Sequence, residues 1–487
     1  MENASIAKIH CRMKSGELTC EQLVSYYLQR IEAYDKNGPC INSIISINPK
    51  ALEQARELDR QFQTVGFTGP LHGIPVLVKD NIDTVDMLTT AGSVCLLENK
   101  PAQDAFIVKK LKDAGALILA KANLHEFAIW GETVSSAGGQ TLNPYDLHRT
   151  PGGSSGGTGA GIAADLATVG IGTDTVNSIR SPASANCLVG LRPTLGLVSR
   201  SGIIPYSLTQ DTAGPITRTV EDAALVLNII SGFEASDEKT AWCDREKQLS
   251  YLPRVDAGLT GKRIGVLQKF FGKDAEHEEV NGIVLSRIDL MRSLGAEIID
   301  LHDQVDSDYL TTQVSVHLYD CNEDLNAYLQ AQDRQLPVRS LQEIVESGRY
   351  HPSLDANFRK ALTLSKSSQE YKDHIMRRFV VRDQVMQIMA SNSLDAVVYP
   401  HQKRLVVPIG QTQIERNGVL AAVTGFPSVA IPAGFSAPSI QAPIGVPVGL
   451  ELLGRPWSEA LLLEIAYVIE QNASVRKNPL SAPSLHN

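Results

Sequence analysis

A chain of 487 residues with 43% hydrophobic and 20% charged residues has an ordinary globular composition, able to bury a large core. Its formal charge of −9 leaves no basic footprint for nucleic acid. No run reaches the roughly 18 apolar residues of a membrane span, and the polar opening from Met1 to Lys14 does not read as a signal peptide.

Seven cysteines without a C-x-x-C pair read as reduced thiols, so a cytoplasmic protein is expected. Thr19 and Gln22 have the spacing of a helix capping box, and Leu23, Tyr27, Leu28 and Ile31 recur behind them at helical spacing. Residues 74–79 read as a short buried strand ending at Lys79, 106–114 as a helix and 116–120 as a strand. Residues 155–167 are rich in Gly and Ala, which predicts a helix lying unusually close to its neighbours; 169–172 is the strand after it. Strand, tight loop, helix, strand is the grammar of an α/β fold.

A polar stretch over 237–262 precedes a strand at 263–267. The next helix carries Val280, Val284, Ile288 and Met291 on one face and stops at Gly295. Residues 307–390 read as mostly helical. Strand-like runs return at 396–399, 429–432 and 448–453, and a closing helix shows Leu461, Leu462, Ile465 and Ile469. With no repeat and no low-complexity linker, one interleaved α/β domain over 1–487 is expected.

The chemistry concentrates in three places. Ser154 lies in Thr150-Pro-Gly-Gly-Ser-Ser-Gly-Gly, Ser178 in Gly172-Thr-Asp-Thr-Val-Asn-Ser-Ile-Arg-Ser-Pro, and Lys79 in Gly73-Ile-Pro-Val-Leu-Val-Lys-Asp-Asn. An amide is a poor electrophile with a poor leaving group, so breaking it needs an activated nucleophile, an oxyanion site and a proton for the amine. Ser178 as nucleophile, Ser154 as relay and a neutral, buried Lys79 as base meet that need. Each residue alone has a plainer reading: a serine among glycines is usually a turn residue, and Lys-Asp after an apolar run is usually a solvated strand end. Order and spacing together favour the relay.

Other readings are weaker. Cys187 fits a small packed thiol better than a nucleophile. Gly152-Gly-Ser154-Ser-Gly156 satisfies G-x-S-x-G, but that elbow needs a histidine, and His351, His374 and His401 lack any supporting motif. The glycine run lacks the Lys-Ser/Thr of a Walker motif, and His125-Glu126 lacks the second histidine of a metalloprotease helix. No metal and no cofactor are therefore expected.

These segments resemble the amidase signature family. The likeness is carried by the two serine motifs, by Gly69-Pro-Leu-His-Gly-Ile-Pro-Val-Leu-Val-Lys79, by Val189-Gly-Leu-Arg-Pro-Thr194 and by Gln210-Asp-Thr-Ala-Gly-Pro215. It is densest over about 60–235, with Thr424-Gly-Phe-Pro-Ser-Val-Ala-Ile-Pro as a late anchor. It implies an α/β fold, a twisted mixed β-sheet covered by helices on both faces. It also implies an amidohydrolase working through an acyl-enzyme on Ser178, with a Ser154–Lys79 relay and release of ammonia or an amine. Ser154 would follow a cis peptide bond from Gly153. The oxyanion amides fall on Thr175, Val176 and Asn177, with Ser155 and Asp174 as supporting hydrogen-bonding residues and Arg180 as a structural anchor. The implied partner is a small-molecule amide, with no nucleic acid and no membrane span; a homodimer is compatible.

One departure stands out: relatives place Gly-Gly or Asp-Gly where this chain has Val176-Asn177. Asn tolerates a left-handed backbone and Val does not, so a hole that forms but is narrowed is expected. The segment 202–215 looks most like stand-alone and peptide-amide hydrolases. The alternatives are the glutamine-hydrolysing subunit of the tRNA-dependent amidotransferase and a non-catalytic amide-binding paralogue. For the acyl pocket, Trp130 and Phe127, with Ile129, offer a floor or else simple aromatic packing. Tyr309, His317, Tyr319 and Asp320 are candidates from the helical region at about 300–390.

Overall fold

The computed structural model describes every residue except Met1, Val255, Ala257, 303–304, 333–335, Ser474 and 486–487. Strands form in chain order at β1 (Ile44–Ile47), β2 (Pro75–Lys79), β3 (Leu117–Ala122), β4 (Val134–Ser135), β5 (Gly139–Gln140), β6 (Val169–Asp174), β7 (Val189–Arg192), β8 (Thr212–Thr217), β9 (Arg263–Leu267), β10 (Glu297–Leu301), β11 (Ala396–Pro400), β12 (Ser428–Phe435) and β13 (Pro447–Leu453). Eleven of these join in one sheet, ordered β1-β3-β2-β6-β8-β7-β12-β13-β11-β9-β10, while β4 and β5 make a small ribbon. The sheet is mixed: β2 runs parallel to β3 and β6, β9 runs parallel to β10 and β11, and the other neighbours are antiparallel. Helices cover both faces, as the resemblance implies.

β2, β3 and β6 are buried at every residue; β2 and β3 accordingly read as apolar runs broken only by Lys79 and Lys121, whereas β6 is mostly glycine and polar residues around Val169 and Ile171. β7 and β8 carry no such signature. β8 contains Gly214 and Pro215, residues that argue against a central strand. Here Pro215 faces Ile171, and a Cβ on Gly214 would lie 2.2 Å from the Leu191 carbonyl, so only glycine lets the chains close up.

The capping box forms as expected at the start of helix Cys20–Arg30. The glycine-rich helix spans Gly156–Ala163, shorter than 155–167, because Asp165 turns to φ 58° and Arg30 takes the carbonyls of Ala164 and Asp165. Its close approach is real. A Cβ on Gly157 would fall 2.2 Å from the Asn123 carbonyl oxygen, and one on Gly161 2.7 Å from Leu77. That contact presses Ser154, just before the helix, towards the carboxyl ends of β2 and β6. The crevice at such strand ends is where α/β sheets bind ligands.

Helix Glu278–Ser293 buries Val280, Val284, Ile288 and Met291 and is followed by Gly295 at φ 97°. The closing helix Glu459–Asn472 buries Leu462, Ile465 and Ile469, with Leu461 only partly covered. The expected helical region holds His317–Ala331, Leu341–Ser347, Asp355–Leu362 and Gln369–Ser391. Residues 333–335 of that region, and 255 and 257 of the polar stretch, lie outside the described residues. Among the described residues no helix is long and apolar enough to cross a membrane.

Candidate active site

Lys79 ends β2 and is fully buried. Its Nζ lies 2.7 Å from Ser154 Oγ, 2.8 Å from Thr173 Oγ1 and 3.3 Å from the Thr173 carbonyl. No carboxylate of the described residues comes within ion-pair distance. Burial pulls the amine down to about 7, with Asp174 and Asp211 pulling weakly the other way. Lys121, one strand over and equally buried, differs: it meets Asp80 at 3.6 Å, Thr89 Oγ1 at 2.8 Å and the Ile82 carbonyl. A neutral Lys79 has one lone pair that can take the Ser154 hydroxyl proton; the Thr173 hydroxyl, equally near, also accepts from Asn81 Nδ2 at 3.1 Å.

The peptide bond between Gly153 and Ser154 is cis, as the resemblance implies. Ser155 donates its N–H to the Ser178 carbonyl at 3.2 Å and its hydroxyl to the Thr173 carbonyl at 3.1 Å, tying the two serine segments together. The Ser178 hydroxyl makes no hydrogen bond to the described protein, and neither do the N–H groups of Val176, Asn177 and Ser178. Thr175, Asn177 and Ser178 are buried and Val176 half-buried, and native structures rarely leave buried donors unspent. Consecutive unspent donors beside a serine hydroxyl form a site for an oxygen that gathers negative charge.

A buried ionic web fixes this loop. Asp174 accepts from Arg180 (3.1 Å), from Arg192 (2.7 Å) and from the Ile179 N–H (3.0 Å). Burial pushes its carboxyl up, but the two guanidinium groups outweigh that and hold it well below the usual range. Arg180 also donates to the Val176 carbonyl at 2.7 Å, fixing that peptide of the loop, and it meets Glu451 of β13. Glu451 further accepts from Tyr399 (2.9 Å), Ser428 (2.6 Å) and His401 Nδ1 (2.8 Å). Burial raises the Glu451 carboxyl, yet Arg180 and His401 bring it down to about 2. On the other flank, Asp211 accepts from Thr175 Oγ1 at 2.6 Å and from the N–H groups of Tyr206 and Ser207.

The Val176-Asn177 expectation needs correction. Neither residue takes a positive φ, so the backbone makes no demand there that valine fails to meet. The Val176 side chain packs against the apolar cluster holding Phe270, Val419 and Leu420. Asn177 Nδ2 and His401 Nε2 are both buried without a partner among the described residues. They flank Gly418, whose Cβ would sit 2.6 Å from Asn177 and 3.0 Å from His401.

Other candidates fall elsewhere. Phe127 is buried edge-on against Phe358 at 5.7 Å, in a cluster with Tyr206 and Leu325, so it serves packing. Trp130 is half-buried and faces Arg416. Tyr309 is exposed, 44%, and Asp320 is engaged by the Ser207 hydroxyl at 2.5 Å. Tyr319 packs on Tyr371 and His374, whereas His317 stacks edge-on to Tyr206 at 5.3 Å. Cys187 is buried and its thiol pushed up to about 11 by burial, which leaves it unreactive. His351, His374 and His401 bond Ser353, the Ser315 carbonyl and Glu451 respectively, while Ser154 belongs to Lys79.

The amidase family model matches residues 22–463. The chain belongs to the amidase family. This amidase is a hydrolase of carbon–nitrogen amide bonds. It is similar to the crystal structure of a peptide amidase from Stenotrophomonas maltophilia, with 35% identity, a TM-score of 0.86 and 98% of each chain covered. It is 33% identical, over 96% of both chains, to a glutamyl-tRNA(Gln) amidotransferase subunit of Thermoanaerobacter pseudethanolicus. The solved structure of the same-named protein from Thermotoga maritima matches this amidase with 27% identity and a TM-score of 0.74, over 98% of this chain and 96% of that one.

Proposed function

We propose that this amidase works alone, as one domain, through an acyl-enzyme on Ser178. The observation that carries the proposal is the contact between a buried Lys79, free of carboxylate partners, and Ser154 Oγ, beside a loop of unspent amides. Lys79 takes the Ser154 proton as Ser154 takes the Ser178 proton, and Ser178 Oγ bonds to the amide carbon. The carbonyl oxygen becomes an oxyanion held by the N–H groups of the 175–178 loop. Collapse breaks the C–N bond, and the leaving nitrogen takes a proton from Ser154, which recovers one from Lys79. Water then attacks the ester by the same route, releasing the acid and restoring Ser178. The Ser154–Ser178 leg closes when substrate seats, since such bonds are often loose in an empty site.

A peptide-amide type of substrate is supported by the higher likeness to the peptide amidase, 0.86 against 0.74 for the amidotransferase protein. A reducing, cytoplasmic setting is supported by seven cysteines that are all free. The test is ammonia release by the purified chain from a C-terminally amidated dipeptide and from glutamine. Turnover of the dipeptide amide without any partner is expected. Glutamine turnover only, and only with an added partner protein, would transfer the chain to the amidotransferase reading.

A further inference from the structure

Arg416 lies between β11 and helix Val419–Thr424 and is half-buried. Its guanidinium sits 5.2 Å over the Trp130 ring, and its side chain makes no hydrogen bond or ion pair to any described residue. The neighbouring Glu132 carboxylate attracts the Arg416 charge from beyond ion-pair distance, while it accepts from the N–H groups of Gln413 (2.8 Å) and Gly131 (3.4 Å) and faces His125 at 3.6 Å.

This cation, without a hydrogen bond of its own to the described residues, is linked to the Ser154 segment by close contacts through Gly131. A Cβ on Gly131 would lie 2.4 Å from Arg416 Nη1, and one on Gly153 would lie 2.9 Å from the Gly131 oxygen, so Arg416, Gly131 and Gly153–Ser154 are in file. Its charge also reaches the rings around the site. After burial, Arg416 is among the causes holding His317 down at about 4, and with His351 and Lys79 it holds His125 down at about 3. Tyr206, edge-on to His317, is anchored through its N–H to the same Asp211 that holds Thr175.

On the amidase reading above, we infer that Arg416 anchors the acyl side of the substrate. Its N–H fork donates to a neutral carbonyl oxygen beyond the scissile amide, which selects N-acyl amino-acid and peptide amides over plain alkyl amides. A guanidinium presents five donors in a fixed fork and accepts nothing, so a half-buried one with no protein acceptor is built to meet an incoming oxygen. The Glu132 carboxylate keeps the neighbourhood near neutral, which favours a carbonyl over a free carboxylate. The plainer reading is that Arg416 only stacks on Trp130 to hold the loop.

The two readings part on a ratio. We compare kcat/KM for an N-acetyl amino-acid amide with kcat/KM for an alkyl amide of equal length, in wild type, Arg416→Met and Arg416→Lys. Loss of a hydrogen bond from a charged donor predicts that the ratio falls about ten- to a hundredfold in Arg416→Met. Arg416→Lys, which keeps the charge but not the fork, should fall in between, and it carries the comparison alone if Arg416→Met does not fold. An unchanged ratio, whatever the absolute rates, overturns the inference. So does a wild-type preference for an ω-carboxy alkyl amide over the acetyl amino-acid amide. If wild type released ammonia from neither amide, the amidase reading itself would be what failed.

Discussion

Two parts of the molecule build this site in different ways. On the proposed mechanism the segment from Lys79 to Asp211 supplies the reactive groups, and they lie at or just beyond the carboxyl ends of neighbouring strands β2 and β6. The part after β9 supplies single residues from far along the chain: Glu451 under Arg180, His401 beside Asn177, Arg416 over Trp130. On that mechanism the first part holds the chemistry. The second holds the first in place and, on our inference, selects what enters. Where a group belongs to the chemistry, changing it should abolish turnover and spare the fold; where it belongs to the support, stability and rate should fall together.

The largest expected effect is Lys79→Met. Amide turnover should drop by roughly four to six orders of magnitude, as removal of a triad member does, while the thermal midpoint stays near wild type. Near-normal turnover would erase the distinction between the two parts. Next comes Glu451→Gln, which removes a buried charge facing Arg180. Breaking such a pair costs about 3 kcal/mol, to be read as a lowered denaturant midpoint. kcat should fall about tenfold as the Val176 carbonyl loses its rigid anchor, with KM little changed. A loss of stability with kcat intact would confine Glu451 to the fold.

The pH profile sharpens the same contrast. Lys79 acts as a base only when neutral, and burial sets its change of state at about 7. Below that value kcat/KM should rise tenfold per pH unit, then level off above it. A profile that falls from acid to neutral pH would contradict the assignment. The smallest effect is Val176→Gly: with its side chain on the Phe270 cluster, the change should cost about 1 kcal/mol of stability and move kcat about threefold or less. A large gain in rate, or a turn towards bulkier amides, would restore the narrowed hole.

The legible part of the molecule was local. β2 is an apolar run that ends in Lys79, and the serines sit in glycine motifs whose closeness a helix like Gly156–Ala163 requires, so strand end and chemistry could be read together. β8 hid behind Gly214 and Pro215, because its pairing is settled by the backbone of Leu191 rather than by its own propensity. The demand for positive φ at Val176 came from glycine in relatives, and the structure makes no such demand. Glu451 did leave a signal that went unused: a lone carboxylate within Pro447–Leu453, a strand otherwise apolar and wholly buried, must have a charged or hydrogen-bonding partner. Arg416 left none. Its meaning lies in Trp130, Gly131 and Gly153, far away in sequence.

The most direct test of the central claim is intact-mass analysis after incubation with a fluorophosphonate, on wild type and on Ser178→Ala. The account predicts a single adduct on wild type that is absent from Ser178→Ala, because only an activated serine beside a formed oxyanion loop reacts. An adduct that persists in Ser178→Ala would move the nucleophile to another residue. No adduct on either protein would contradict the claim that Lys79, Ser154 and the 175–178 loop act together.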